Sequence, residues 1–323
     1  MWAANKPARR PRPSCRTALA LSALSALLAA CAAGPDFVRP AARYLAVTPA
    51  TVGADPAQAL QVGGAVAADW WRLFQAPALD AALGAALAAN PSLQAAEASL
   101  RQSQASLRAG AGVFYPQLDL SLSAQRQRQS PLRAAGAGAG VYNLVTLSVA
   151  VSYALDVFGG QRRAVEALAA QADAQHAALQ GAYLTLSGNV VNSLIARAAY
   201  RAQIEATGRF IARQQDQLAI AEARATAGIA PYTDVLAVRS QLAASRALVP
   251  PLLHKQDQAD HLLASLSGVS PGQWRAPVLE LAALALPAQL PLSLPSELVR
   301  QRPDVLAAEA RLHGASAAIG VAT

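Results

Sequence analysis

The sequence predicts a mainly α-helical protein in which a long antiparallel helical hairpin is joined to a transmembrane β-hairpin. Two observations support this fold class. Residues 159–268 form two arms in which apolar and small residues recur every three or four positions, a spacing typical of helices packed along a coiled-coil seam. Residues 113–158 instead alternate apolar and polar side chains with a period of two, which indicates β-strands.

The first element, residues 1–30, is typical of a secretory signal peptide. Five basic side chains precede an uncharged segment at 17–30 that is too short to cross a bilayer as a helix. The whole chain has a formal net charge of +8, and these five residues account for most of it. The remainder is only weakly basic, which gives little support to a nucleic-acid partner.

Cys31 directly follows Ala29 and Ala30 at the end of this segment, and it is the only cysteine beyond it. Small residues before such a cysteine resemble the lipobox of bacterial lipoproteins, which predicts that Cys31 carries covalent lipid such as palmitate. Residues 31–90 would then be a lipidated N-terminal segment. Under the sorting preference of bacterial lipoproteins, Ala32 favours the outer membrane. The alternative is an ordinary signal peptide followed by an incidental cysteine.

Residues 91–112 predict a helix. Asn90 is a favourable N-cap, and Pro91 suits the first helical turn. The predicted buried face has alternating spacings of three and four residues and comprises Leu93, Ala96, Leu100, Ser103 and Leu107.

Residues 113–158 predict a transmembrane β-hairpin whose strands are connected by a glycine-alanine loop at 136–140. One strand presents an apolar row of Leu118, Leu120 and Leu122. The row predicted for the other strand is Val145, Leu147, Val149, Val151, Tyr153, Leu155 and Val157. Long alternation of this kind is typical of strands in membrane barrels. The alternative is a half-buried hairpin on a soluble core. Because two strands cannot close a barrel, other copies would have to complete it.

Residues 159–268 predict the long helical hairpin. The outgoing seam comprises Leu168, Ala172, Gln175, Leu179, Ala182 and Leu186. The return seam comprises Val235, Val238, Leu242, Ser245, Val249, Leu252, Gln256, Ala259, Leu263 and Leu266. Gly228 and Pro231 predict the turn between the arms. Pro250 and Pro251 predict an interruption of the return arm, since proline removes a helical hydrogen bond.

An internal repeat begins after a proline-rich connector at 269–296. Pro303 lies 212 residues after Pro91, and the sequences that follow the two prolines are similar. Residues 297–323 therefore predict the start of a second repeat. The predicted buried face of its helix is Val305, Ala308, Leu312, Ala315 and Ile319.

Catalytic motifs and metal-ligand patterns are not found in the sequence. His254 and His261 lie seven residues apart on one predicted helix, too far apart for a single ion. Nucleotide-binding glycine motifs and a nucleophile elbow are also missing. We therefore expect no enzymatic activity, no cofactor other than lipid on Cys31, and no metal.

Four short motifs resemble those of TolC-like outer-membrane efflux proteins, specifically the lipidated, NodT-type members. They are residues 34–37 (Gly-Pro-Asp-Phe), the Trp70-Trp71 block, the segment from Tyr153 to Gly159, and Arg302-Pro303-Asp304-Val305. Ala76 and Ala154 replace acidic residues that are frequent in the family pattern. The resemblance extends over nearly all of residues 31–323 but covers only about two thirds of that pattern.

The resemblance implies a homotrimer whose β-barrel in the outer membrane continues into an α-helical periplasmic tunnel. Such a protein is the passive exit duct of a tripartite efflux system for drugs or other small molecules, together with a periplasmic adaptor and an inner-membrane transporter. Arg224, Gly228 and Ile229 match the family pattern at the tip where the adaptor docks. The alternatives are a type I secretion duct and a structural coiled-coil lipoprotein. The exported substrate is not evident from the sequence.

The second hairpin and second helix pair of the family pattern are not found within the 323 residues. Three copies would contribute only six strands, fewer than the eight of the smallest common outer-membrane barrels. We therefore expect these residues alone not to form a working duct.

Overall fold

The computed structural model describes residues 34–40, 59–62, 67–128, 140–287, 289–292 and 301–323. The predicted signal peptide, Cys31 and all of the 136–140 loop except Gly140 lie outside these residues. The described residues form two compact units. The first draws on 34–39, 103–172 and 310–323, and the second on 40–102 and 173–309.

Six α-helices and four β-strands are described. The helices are α1 (Pro77–Ala89), α2 (Pro91–Ala111), α3 (Gly160–Thr226), α4 (Tyr232–Ala247), α5 (Val249–Leu266) and α6 (Pro303–Ala322). The strands are β1 (Ala59–Val62), β2 (Gln117–Arg128), β3 (Val141–Ser152) and β4 (Gln289–Leu292). Short 3-10 turns occupy Trp70–Phe74, Gly112–Phe114 and Leu281–Ala283. None of the described helices is long and apolar enough to cross a membrane.

The long outgoing helix and the break in the return arm are confirmed. α3 has 67 residues and therefore extends about 100 Å at 1.5 Å per residue. The return arm is divided at Leu248, and α5 then begins with the two prolines in its first turn. Proline is tolerated there because the first N–H groups of a helix have no intrahelical acceptor. All ten residues of the predicted return seam are buried or half-buried.

The core of the second unit is built around the middle of α3. Val190, Val191 and Leu194 are at most 1% exposed, and they belong to the same apolar cluster as Leu79 and Leu83 of α1. α1 was not predicted, although Pro77 at its start and its apolar residues at helical spacing are visible in the sequence. The short parallel pair of β1 and β4 was not predicted either.

The predicted β-hairpin is confirmed as an antiparallel pair in the first unit. β2 pairs with β3 over twelve residues each, from Gln117 opposite Ser152 to Arg128 opposite Val141. The prediction that alternation continues through residues 153–157 is wrong, because β3 ends at Ser152 and the chain then turns toward α3.

The helix of the second repeat begins at Pro303, in register with Pro91 of α2. Its predicted buried face is wrong: Leu312 and Ile319 are about half exposed, whereas Ala307 and Ala317 are buried. Small residues allow a close approach between helices. Gly314 accordingly packs closely on α3: a Cβ added at this position would lie 3.5 Å from the Ala170 Cβ.

Candidate functional site

The β-hairpin has one continuous apolar face that no described residue covers. Leu118, Leu120 and Leu122 of β2 stand opposite residues 151, 149 and 147 of β3, all of them Val or Leu. Side chains in these rows are 62–71% exposed. On the other face, the hydroxyls of Ser121 and Ser148 form a hydrogen bond of 2.6 Å. The hairpin therefore has one apolar face and one polar face, and both are exposed in the described structure.

The connection from the hairpin to α3 is fixed by Asp156. Its carboxylate accepts hydrogen bonds from the backbone N–H groups of Gln161 (3.2 Å) and Arg162 (3.0 Å), and from the Arg162 guanidinium at 3.2 Å. Burial acts to raise the pKa of Asp156, but these hydrogen bonds outweigh it and lower the pKa below its ordinary value. The negative charge of this carboxylate also interacts favourably with the positive end of the helix dipole at the N-terminus of α3. The motif from Tyr153 to Gly159, which resembles the efflux-family pattern, therefore contains the capping residue of α3.

Residues 34–37 pack against the first unit's part of α6. Gly34 has a φ of +78°, and a Cβ at this position would lie 2.5 Å from the Gly320 Cα. Only glycine accommodates both the left-handed backbone and this approach. Phe37 stacks on His313, with ring centroids 4.5 Å apart. The N-terminal motif resembling the efflux family is therefore a docking segment.

An ion-pair network joins this segment to the start of α3. The largely buried Arg163 guanidinium donates to Asp36 at 2.6 Å and to Glu166 at 2.8 Å. Glu166 in turn lies 2.8 Å from the ring Nε2 of His313. The hydrogen bonds from Arg163 and then His313 lower the pKa of Glu166, against the opposing effect of burial. The network was not predicted, because Asp36 and His313 each lie more than 120 residues along the chain from Arg163 and Glu166.

The predicted N-cap at Asn90 is confirmed and has a second role. Its side-chain oxygen accepts the backbone N–H of Leu93 at 2.9 Å, while its amide nitrogen donates to the Leu266 carbonyl at 2.8 Å. One buried side chain therefore caps the start of α2 and satisfies a carbonyl at the end of α5. The two shorter helices meet end to end at this residue.

The tip of the helical hairpin contains the three predicted residues. The Arg224 carbonyl accepts the N–H of Ile229 at 2.9 Å, and Gly228, with a φ of +69°, donates its N–H to the Ala225 carbonyl at 3.0 Å. This arrangement is a Schellman cap, which requires the left-handed conformation at Gly228. Arg224, Gly228 and Ile229 are all exposed.

Just behind the tip, the two arms are joined by an ion pair. The Arg239 guanidinium lies 2.6 Å from Glu222 and also donates to the Tyr232 hydroxyl at 3.3 Å. The hydrogen bond that Arg239 donates to the Glu222 carboxylate raises the pKa of Arg239 above its ordinary value. The turn therefore exposes its residues to solvent, while the capping hydrogen bonds and the Arg239–Glu222 ion pair hold the two helices together behind it.

Within the described part of the chain, no three His, Cys, Asp or Glu side chains are grouped as metal ligands. His254 instead lies 3.0 Å from the side chain of Gln258, one turn further along α5. The candidate functional features are thus surfaces and caps: the hairpin, the tip and the docked N-terminal segment.

Comparisons with known proteins agree with this arrangement. The family model described as "Outer membrane efflux protein" matches residues 82–269, more than half of the chain. The fusaric acid resistance protein FusA of Burkholderia cepacia is 30% identical over 309 residues, which cover 94% of this chain and 58% of that protein. The pyoverdine export outer membrane protein OpmQ of Pseudomonas putida is 30% identical over 286 residues, covering 85% and 61%.

Among solved structures, the outer-membrane channel OprN superposes with a TM-score of 0.75 and 28% identity, over 90% of this chain and 63% of the channel. The chain spans about three fifths of the length of the curated relatives described above. The family-model match, the sequence identity and the shared fold together show that this chain belongs to the outer membrane efflux protein family.

Proposed function

We propose that this chain is part of the outer-membrane exit duct of a tripartite efflux system and exports small molecules passively. The β-hairpin would lie in the outer membrane as part of a trimeric barrel, and the long helices would line a periplasmic tunnel. FusA and OpmQ are named for fusaric acid resistance and pyoverdine export, which supports an organic small molecule as the substrate class.

The observation that carries this proposal is the exposed apolar face of the hairpin. Twelve paired residues per strand match the length of tilted strands that cross an outer membrane. Water-exposed Leu and Val side chains in three successive pairs would be unfavourable, whereas lipid is a suitable environment for them. A coiled-coil lipoprotein stalk has no use for such a hairpin.

Lipid attachment at Cys31 would give the first unit a second membrane anchor, in addition to the β-hairpin. Two residues separate Cys31 from the docked Gly34, so the three Cα-to-Cα steps between them span at most about 11 Å. The docking of residues 34–37 onto α6 and Arg163 thus supports a membrane-proximal position for the acyl chains. Metabolic labelling with a fatty acid tests this, and equal label in Cys31→Ser and the unchanged chain would contradict it.

The helical tip would contact the periplasmic adaptor. Ile229 is 70% exposed, and its N–H is hydrogen-bonded to the Arg224 carbonyl. The Arg239–Glu222 ion pair joins the two helices next to this turn. A rigid surface with an apolar centre and a cationic neighbour is suited to protein docking. The inner-membrane transporter would then supply the energy for export.

The membrane position of the hairpin is tested with two matched arginine substitutions. Leu120→Arg introduces a charge in the middle of the apolar row, and Ser123→Arg introduces the same charge on the opposite face. A charge on the lipid face near the bilayer midplane costs about 2–4 kcal/mol, so the equilibrium constant for membrane insertion should fall by a factor of about 30 to about 700 for Leu120→Arg alone.

Integration is measured as protease protection of the hairpin in lipid vesicles. The Cys31→Ser background is used so that no acyl chain holds the protein in the membrane. Equal protection of the two arginine variants would refute the predicted lipid-facing side of the hairpin, and absence of protection in the chain without arginine substitutions would favour the coiled-coil stalk.

A further inference from the structure

Charge is distributed unevenly along the hairpin. Between Asp119 and Asp156 the sequence contains no acidic residue, but it contains Arg126, Arg128 and Arg133. Asp119 lies near the end of the hairpin that leads to the helices, opposite Ala150. The loop end is therefore cationic, and acidic residues occur only toward the helix end.

Two of these arginines lie on the apolar face. Arg126 and Arg128 share the alternation of Leu118, Leu120 and Leu122, and they stand opposite Asn143 and Val141 of β3. Both are exposed, and within the described residues neither has a hydrogen-bond or ion-pair partner. The apolar row thus ends, where it approaches the loop, in two guanidiniums for which the described part of the chain supplies no partner.

The other end of the hairpin is bounded by aromatic rings. Tyr115 precedes β2 and Tyr153 follows β3, and they are 69% and 53% exposed. From residue 115 to Arg126 the extended chain covers about 37 Å, or about 26 Å along the membrane normal at a tilt of 45°. The apolar band of an outer-membrane barrel is about 25 Å tall and has aromatic residues at its edges. The two arginines therefore lie at the opposite interface, at the level of the headgroups.

We infer that Arg126 and Arg128 bind anionic phosphate headgroups, in which no cationic group accompanies the phosphate, at the loop end of the hairpin. This inference rests on the proposed membrane position of the hairpin. Guanidinium groups bind phosphate through paired N–H donors, and an arginine near an interface directs its charge to the headgroups while its aliphatic part stays in lipid. The two side chains point to the same face, two residues apart, so one or two adjacent headgroups satisfy both.

The test compares vesicles of phosphatidylcholine with vesicles in which a third of that lipid is replaced by phosphatidylglycerol. The full chain in the Cys31→Ser background is used, and its partition into the vesicles is measured. Each basic residue near an anionic surface contributes about 1 kcal/mol, so anionic lipid should strengthen partition about 30-fold through this pair, or about 2 kcal/mol. The Arg126→Gln/Arg128→Gln variant should lose that gain.

A charge-swap variant separates headgroup binding from general attraction. Gln125→Arg/Arg126→Gln/Gln127→Arg/Arg128→Gln moves both guanidiniums to the polar face without changing net charge. It should behave like the double Gln variant. A second control, Arg209→Gln/Arg213→Gln, removes two exposed arginines from α3 and should keep the full gain.

Four outcomes would overturn the inference. If the charge-swap variant retains the gain, only net charge matters. If the double Gln variant retains it, the pair does not bind the headgroups. If the hairpin of the unchanged chain is not protease-protected in either lipid, the proposed membrane position itself fails; protection in both lipids with no anionic gain defeats only the headgroup contact.

Discussion

The α1–α3 core and the β-hairpin use the same aliphatic residues in opposite environments. Leu79, Leu83 and Leu194 are at most 1% exposed, whereas Leu120 and its neighbours in the hairpin are about 70% exposed. In the core, helical spacing brings apolar residues onto one stripe that a second helix covers. In the hairpin, a period of two creates an equally apolar face that no described element covers. Identical residue types therefore serve protein packing in one region and are available to lipid in the other.

The largest expected difference between the two regions is the effect of removing a leucine side chain. Leu83→Ala should lower the free energy of unfolding by about 2–5 kcal/mol, because it leaves a cavity in a closely packed core. Leu122→Ala should change it by less than about 0.5 kcal/mol in detergent, since its side chain is already exposed. Urea unfolding followed by tryptophan fluorescence measures both, as Trp71 belongs to the core cluster. Similar losses would mean that the hairpin face is packed against protein.

A smaller effect is expected at the joint between α2 and α5. Asn90→Ala removes a cap from one helix and a hydrogen-bond donor from the other, which should cost about 1–2 kcal/mol. Asn90→Asp keeps the acceptor for the Leu93 N–H but loses the donor to Leu266, so it separates the two roles. Vesicle partition of the hairpin should be the same in both variants. A change in partition would show that the two regions are energetically coupled.

Acidification should destabilise the packing of residues 34–37 against α6 and the Arg163 network. The pKa of Glu166 is held below its ordinary value of 4.5 by Arg163 and His313. A carboxyl group with a lowered pKa stabilises the folded state above its unfolded pKa and loses that contribution as the pH falls through its folded pKa. Protection of residues 34–40 from hydrogen exchange should therefore decrease below about pH 4.5.

Glu166→Gln should lose much of this pH dependence and begin from lower protection at pH 6. Asp304→Asn is the matched control. The pKa of Asp304 is also lowered, chiefly by its hydrogen bond from the Arg302 guanidinium, and neither residue is a member of the network that holds residues 34–37. An unchanged acid response in Glu166→Gln would assign the effect to other carboxyl groups.

The smallest effect on stability is expected at the tip. Arg224→Glu should change the free energy of unfolding by less than about 0.5 kcal/mol, because the side chain is exposed and the cap uses only its backbone. In an intact homologue that carries the equivalent substitution, crosslinking to a periplasmic adaptor should nevertheless decrease, while the yield of trimer stays the same. Arg213→Glu, an exposed charge reversal elsewhere on α3, is the control. Loss of trimer in Arg224→Glu would instead assign this residue to folding or assembly.

The sequence by itself determined the features that depend on local periodicity and on special residues. The two-residue alternation predicted the hairpin, and the register of Leu118 opposite Val151 agrees with it. Heptad spacing predicted the buried residues of the return arm, Pro250 and Pro251 predicted its break, and Asn90 predicted a helix start. Each of these features depends on residues within a few positions of one another, so the local sequence contains the information needed to predict it.

Only the tertiary structure decided which partners distant residues select. α6 has two candidate stripes, and the structure buries the small one containing Ala307 and Ala317, because small side chains let helices approach closely. Arg163 has many acidic residues available in the chain, yet the fold brings it to Asp36 and Glu166. The parallel pairing of β1 with β4 likewise joins segments about 230 residues apart. Such contacts depend on chain path and packing distance, which residue order does not encode locally.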